Sequence, residues 1–212
     1  SDGVARMSSA IMNTANNIFS GVINIERVKN PIEVAWLLAG EQHTVLSGIQ
    51  ATQFAREKGF EEYDPITVHR LREFKRREKG RSGTVGAVAL DAHSVICAGT
   101  STGGMGFEIP GRVSDSATVA GTYARNNMGI SCTGIGEDII NHAAAARIAV
   151  RVADGRTLQQ AAENTFAEAE RDGFEYGCIA LNGNGDWVVQ QTRDVTTLYA
   201  VASGDKQQNF LA

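Results

Sequence analysis

Cysteine is too scarce to organise this chain. Cys97, Cys132 and Cys178 are the three among 212 residues. Odd in number, far apart, and without Cys-x-x-Cys or Cys/His ligand spacing, they exclude a disulfide framework and a zinc site and read as buried thiols in a reducing compartment. Apolar runs of membrane-spanning length are lacking, and no charged-then-apolar leader is visible, so a cytoplasmic location and no membrane partner are the expectation. Histidine is limited to His43, His69, His93 and His142, with neither an HExxH nor a Ser/His/Asp arrangement. His142, within a helical stretch, reads as a satisfied or exposed side chain rather than a base. No internal repeat or low-complexity segment stands out. No metal or other cofactor is indicated.

Charge excludes a further class. The run from His69 to Arg81 is basic and carries Phe74, but the chain as a whole has a net charge of −4 and no RNA or DNA motif accompanies the run. It reads as a solvated helix end and linker, not a nucleic-acid surface.

The remainder is an ordinary globular composition, 42% hydrophobic and 21% charged, in a length suited to one domain with a sizeable core. Arg6 to Met12 reads as a strand, Asn13 to Asn17 as a turn, and Phe19 to Ile25 as its partner strand. Between Pro31 and Lys58, Val34, Trp36, Leu37, Val45, Leu46, Ile49 and Phe54 read as the core positions of two helices packed on a sheet. Val85 to Leu90 reads as a buried strand, Asp91 to Ser94 as a turn, and Val95 to Ser101 as the returning strand. Met128 to Cys132 reads as a strand and Glu137 to Val152 as a helix, with a glycine-rich loop from Thr133 to Gly136 between them. Thr157 to Glu170 is a further helix after Asp154-Gly155. Asn182 to Gly185 turns a final hairpin between Gly177 to Leu181 and Trp187 to Gln191.

One pairing carries chemistry. Folding about the Asp91 turn brings Thr84 opposite Ser101 and Thr102, which places a glycine-preceded threonine beside a second threonine at the open end of a sheet. A threonine hydroxyl needs an adjacent base, and a free α-amino group with a pKa of about 7.7–8.0 can serve. Cleavage before Thr84 would unite nucleophile and base in one residue. Before cleavage the hydroxyl would attack the Gly83 carbonyl and pass through an ester, and a residue without Cβ tolerates the strained backbone this requires.

Further motifs follow in order: Thr100-Ser101-Thr102-Gly103-Gly104-Met105, then Pro110-Gly111-Arg112-Val113-Ser114-Asp115-Ser116, then Ser131-Cys132-Thr133-Gly134-Ile135-Gly136-Glu137. In that order the chain resembles the threonine-type isoaspartyl peptidases and plant-type L-asparaginases, relatives of glycosylasparaginase within the N-terminal nucleophile hydrolases. The resemblance runs from near residue 1 to the end.

It implies an α+β fold, a four-layer αββα sandwich with two antiparallel sheets between helical layers, in a single domain spanning residues 1–212. Residues 1–83 would be a partial α segment with a basic linker near 64–83, and residues 84–212 a β segment opening on the nucleophile. Thr84 would be that nucleophile, freed by autoproteolysis between Gly83 and Thr84, with Thr102 tuning it. Thr133 and Gly134 would form an oxyanion hole, and preset donors of this kind contribute about 2.7–4 kcal/mol each to the transition state. Arg112 and Asp115, with Gly136 close by, would bind the α-carboxylate and α-ammonium of an aspartyl group, as a guanidinium beside a carboxylate suits a zwitterion. The implied substrates are L-asparagine and β-aspartyl dipeptides, and the implied assembly is a homodimer of processed αβ units.

The sequence departs from the family pattern in places. Gly106-Phe107-Glu108 stands where a polar triplet is usual, and Phe107 with Ile109 is similar to the glycosylasparaginase branch, whereas Gly83 before the nucleophile matches the isoaspartyl peptidases. The connection from Asp115 to Thr133 is slightly short. The family's opening strand, His-Gly-Gly motif, helix and asparagine-bearing loop, with its structural sodium, are not in this sequence, so a fragment lacking its first strand and helix is the expectation. A glycosylasparaginase-like amidase and an inactive truncated fragment are the alternatives.

Overall fold

A computed structural model describes residues 2–76, 83–204 and 206–210. The latter part of the basic run, residues 77–81, lies outside the described residues.

Strands β1 (Arg6–Asn13) and β2 (Phe19–Glu26) pair antiparallel as anticipated. Asn13 closes the turn by accepting from the Ala15 and Asn16 amides, and Asn17 adopts the left-handed φ of 55° that asparagine tolerates. Helix α1 (Pro31–Leu38) opens on a proline whose missing N–H costs nothing there. Strand β3 (Val45–Ser47) and helix α2 (Gly48–Glu57) follow. Val34, Leu38, Ala51 and Ala55 bury against Val22, Ile25 and Val28.

Several expected core residues lie elsewhere. Trp36, Leu37, Val45 and Ile49 are exposed, and Leu46 and Phe54 are half-buried. In α1 the spacing Pro31, Val34, Ala35, Leu38 already fills the inward face, which turns Trp36 and Leu37 outward. Val45 belongs to a short strand added parallel to β2, so that sheet is mixed rather than purely antiparallel.

Helix α3 (Val68–Arg76) contains the first part of the basic run and buries none of its residues, although Phe74 stacks on Phe107 at 5.5 Å. Strands β4 (Thr84–Leu90) and β5 (Ile96–Thr102) complete a five-stranded sheet in the order β3-β2-β1-β5-β4. β4 is largely exposed rather than buried, with Val85 at 69% exposure, because it is an edge strand covered on one face only.

A single 3-10 turn, Asp115–Ala117, leads to β6 (Thr122–Arg125) and β7 (Met128–Gly134). Helices α4 (Gly136–His142), α5 (Ala144–Ala153) and α6 (Leu158–Asp172) come next, and α6 starts with a reciprocal Thr157/Gln160 capping box. The helix expected over Glu137 to Val152 is therefore two helices, broken at Ala143 with φ 51°. Strands β8 (Tyr176–Asn182) and β9 (Trp187–Gln191) finish an antiparallel sheet in the order β6-β7-β8-β9. A separate hairpin, β10 (Tyr199–Ser203) with β11 (Lys206–Phe210), extends the strands past Gln191, where the sequence reading ends them.

The chain is thus of mixed α+β class. Ile139, Ile148, Leu158 and Phe166 from α4, α5 and α6 bury against Ile130, Cys132, Tyr176 and Cys178 on one face of the second sheet. Between the sheets lie Met12, Ala98 and Ala124, with Phe19, Val88 and Tyr123 at the margins. Small side chains there let the sheets approach closely. Cys132 and Cys178, distant in sequence, are register partners on β7 and β8; both are buried free thiols, while Cys97 is half-buried.

Candidate active site

Antiparallel pairing of β4 with β5 sets Thr84 directly opposite Thr102, as the turn at Asp91 predicts. The Thr84 hydroxyl donates to Thr102 Oγ1 at 3.0 Å, and the Gly104 amide donates to the same oxygen at 3.1 Å. Thr102 is buried, whereas Thr84 is half-buried at the first position of its strand. Gly83 precedes it beside Arg70 of α3, in a cavity also lined by Phe74, Gly103 and Phe107.

The second sheet reaches this end through close backbone approach. A Cβ on Gly86 would fall 2.1 Å from Ser131 Oγ, and one on Gly129 would fall 2.7 Å from Val88 Cγ1. Gly86 and Ser131 face each other, as do Val88 and Gly129, so β4 and β7 run in opposite directions across the gap. Side chains two apart share a face. One further step carries Thr133 toward Thr84.

Buried hydroxyls pin this contact: Thr122 Oγ1 donates to Thr100 Oγ1 at 2.5 Å, and Thr100 Oγ1 lies 2.6 Å from Ser131 Oγ. Each hydroxyl finds a partner in another, as buried polar groups require.

Thr133 and Gly134 are the last residues of β7, not members of a loop. The glycine-rich segment shrinks to Ile135 before α4 begins. Gly134 has φ 140°, and a Cβ there would fall 2.5 Å from Tyr176 Cα on the neighbouring strand. No larger residue fits without moving β8.

Arg112 and Asp115 converge on Gly136. A Cβ at Gly136 would sit 2.9 Å from Arg112 Nη2 and 3.0 Å from Asp115 Oδ1. The two charged groups make no ion pair with one another; Arg112 instead closes its Nε and Nη2 on the Glu137 carboxylate at 2.7 Å each and gives Nη1 to Glu108 at 2.6 Å. These carboxylates raise the guanidinium pKa further, and Arg112 draws that of Glu137 below its usual range. Asp115 is 5% exposed, and its Oδ2 has no hydrogen-bond partner among the described residues. Burial pushes its pKa up to about 7, against the opposing pull of Arg112. Oδ2 lies against Gly121, where a Cβ would fall 2.4 Å away, and it is Oδ1 that faces the gap at Gly136, so a cation entering there would meet Oδ1 of a buried carboxylate.

Sequence reasoning misses three side chains here. Asn24, with φ 54°, donates from Nδ2 to the Arg112 carbonyl at 2.9 Å, while Glu108 and Glu137 grip the guanidinium. Asn24 has no local signal, but the glutamates stand inside or beside the quoted motifs. His142 is buried rather than exposed, with Nδ1 2.6 Å from the Tyr176 hydroxyl and Nε2 3.7 Å from Glu168. It lies at the far end of α4 and takes no part in the threonine pair. No cluster of His, Cys, Asp or Glu fit to hold a metal occurs among the described residues, and none is assigned to a sodium ion.

A family model described as Asparaginase matches residues 1–82 and 72–211. This chain belongs to the asparaginase family. An isoaspartyl peptidase/L-asparaginase of Nostoc sp. is 44% identical, covering 97% of the chain and 71% of the relative. One of Synechocystis sp. is 45% identical, covering 87% of the chain and 62% of the relative. A plant-type L-asparaginase of Thermococcus kodakarensis is 40% identical over 80% of the chain and 63% of its own length. The chain spans roughly two thirds of the asparaginase-family relatives it matches, between 62% and 71% of these three. No helix among the described residues is long and apolar enough to cross a membrane.

Proposed function

We propose that this chain is an isoaspartyl peptidase and L-asparaginase that cuts itself between Gly83 and Thr84. The observation that carries the reading is the Thr84–Thr102 hydrogen bond at 3.0 Å, formed by a glycine-preceded threonine at the open end of paired strands. The names of the relatives support the same substrates. The proposal includes the four-layer αββα arrangement, pairing of two processed units as a homodimer, and a cytoplasmic location.

In the first stage the Thr84 hydroxyl attacks the Gly83 carbonyl carbon, and the Gly83–Thr84 peptide becomes an ester as the Thr84 nitrogen leaves. Water cleaves the ester, giving a Gly83 carboxylate and a free Thr84 amine. In the second stage that amine, with a pKa of about 7.7–8.0 when unperturbed, takes the hydroxyl proton as Oγ1 attacks the side-chain carbonyl of an aspartyl substrate. Thr102 holds the hydroxyl in direction. The Thr133 side chain and the Gly134 amide take the developing oxyanion.

Proton return from the Thr84 ammonium releases ammonia or an amino acid, leaving an acyl ester. Water then attacks this ester, and aspartate departs. Arg112 takes the α-carboxylate and Asp115 the α-ammonium, with Gly136 leaving room for both.

Intact-mass measurement and ammonia release from L-asparagine test the reading together. Wild type should split into two pieces at Gly83/Thr84 and release ammonia, and Thr84→Ala should do neither. A Thr84→Ala chain that still splits defeats the nucleophile assignment. An uncut, inactive wild type favours an inactive fragment, and cleavage of glycosylated asparagine with β-aspartyl dipeptides spared favours a glycosylasparaginase-like amidase.

A further inference from the structure

Both hydrogen-bonding edges of Arg112 are engaged, and they differ in kind. The Nε/Nη2 edge forms a two-point fork with Glu137 at 2.7 Å and 2.7 Å. Such a fork fixes the guanidinium plane. The other amino group, Nη1, meets Glu108 at 2.6 Å. Glu108 also accepts from the Met105 amide at 2.6 Å, and both of its oxygens lie 2.6 Å from where a Cβ on Gly104 would stand. The Gly104 amide, in turn, donates to Thr102 Oγ1, the partner of Thr84.

The Glu108 carboxylate therefore packs on Gly104, whose amide meets Thr102, and at the same time holds Nη1 of the guanidinium. An aspartyl group with its side-chain carbonyl at Thr84 and its α-carboxylate on Arg112 would meet this carboxylate at the guanidinium. Its carboxylate would need the Nη1 group that Glu108 holds, because the opposite edge is closed by Glu137.

We propose that Glu108 is a specificity-determining residue, an internal carboxylate that occupies the substrate edge of Arg112 and must be displaced by the α-carboxylate of an aspartyl ligand. The proposal rests on the reading above, in which Arg112 receives that α-carboxylate. Two consequences follow. Affinity for free aspartyl α-carboxylates is held below what Arg112 alone would give, and the aspartate product is helped out as Glu108 returns to Nη1. Glu108 is a quarter exposed, with a side-chain exposure of 27%, so it has solvent to swing into.

Glu108→Gln tests this in the self-processed protein, since the amide oxygen still accepts from Met105 and retains the loop while the competing charge is gone. KM for L-asparagine and the inhibition constant of L-aspartate should both fall about two- to fivefold, the scale of one partly exposed ion pair. The α-amide of L-aspartate, which offers no α-carboxylate, should show no such gain. A merely structural role would not improve affinity. Glu108→Ala should move both constants in the same direction as Glu108→Gln. A rise in KM and in the aspartate constant for both variants overturns the proposal, as does an equal gain for the α-amide.

If wild type turns over no substrate, the reading of function fails, and calorimetric titration with L-aspartate still decides the role of Glu108. Tighter binding by Glu108→Gln supports it, and equal binding or none overturns it. Loss of aspartate binding in Arg112→Met supports the reading of Arg112 itself. Its retention defeats that reading independently of the comparison between the two forms of residue 108.

Discussion

In the proposed mechanism Asp115 is the residue where stability and activity pull in opposite directions. Burial raises its pKa from 3.8 to about 7, so the folded state holds a proton that the unfolded chain releases near 4. Stability from this group is fully present below the unfolded pKa and is lost as pH rises from about 4 through about 7, because the folded state binds more protons over that range. Binding a substrate ammonium requires the opposite, ionised form. We expect kcat/KM for L-asparagine to climb over the upper part of that window as Asp115 ionises and to keep rising until the Thr84 amine, with an unperturbed pKa of about 7.7–8.0, is neutral as well, as free-enzyme ionisations govern that ratio. Asp115→Asn should weaken kcat/KM and flatten the fall in melting temperature between pH 5 and 7. Rate profiles and thermal melts across that range check both. An Asp115→Asn profile of the same height and shape as wild type from pH 5 to 8 would remove Asp115 from substrate binding.

At this scale the sequence discloses residues that share a short motif and hides those that meet only in three dimensions. Thr84, Thr102, Arg112, Asp115 and Gly136 each stand in a local pattern of small and polar residues, and strand pairing alone brings the two threonines opposite each other. Glu108 and Glu137 gain their role from the crossing of a loop and the first turn of α4 at one guanidinium. Nothing near Asn24 in sequence predicts that it braces the Arg112 carbonyl, 88 residues away.

Among the elements, the break between α4 and α5 was the least legible. Alanine is the strongest helix former, so a run from Ala143 through Ala146 reads as uninterrupted helix. Tertiary contacts override it. The His142 ring is held by the Tyr176 hydroxyl, the Arg147 side chain caps the His142 carbonyl at 2.9 Å, and the Ala145 amide docks on Ala120 at 2.8 Å. Meeting all three forces Ala143 into the left-handed region, at φ 51°, where an L-residue is strained by about 1–2 kcal/mol. Ala143→Gly relieves that strain at some cost in unfolded-state entropy, and we expect a net gain of about 0.5–1 kcal/mol, read as a rise in the denaturation midpoint without change in the slope. A loss of stability would mean that the turn is not left-handed in solution. Strands were easier to read than this helix pair because Asn-rich and Gly-rich turns punctuate them, as at Asn13–Asn17 and Asn182–Gly185.

For the molecule as a whole, the decisive contact is sheet against sheet. The α+β class follows from the family resemblance, but not the mixed character of the first sheet or the openness of β4, since edge position and a parallel neighbour are properties of topology. The proposed site needs Thr84 from one sheet and Thr133 from the other, and the distance between them is set where Gly129 packs on Val88 and Ile96. A Cβ at Gly129 would fall 2.7 Å from Val88 Cγ1 and 2.7 Å from Ile96 Cγ2. Both neighbours are β-branched and stiff about χ1, so they cannot turn aside and the sheets must separate. Gly129→Ala should therefore destabilise the fold by about 1–3 kcal/mol and slow the split at Gly83/Thr84, measured by chemical denaturation and by mass over time. Gly40→Ala is the matched control. Its added Cβ would meet only the Leu37 carbonyl oxygen, at 3.7 Å, so it should stay within about 0.5 kcal/mol of wild type and process normally. If Gly129→Ala loses stability yet processes at the wild-type rate, the spacing of the sheets does not govern the meeting of Thr84 with its oxyanion donors, and processing is decided within the first sheet by Thr84 and Thr102 alone.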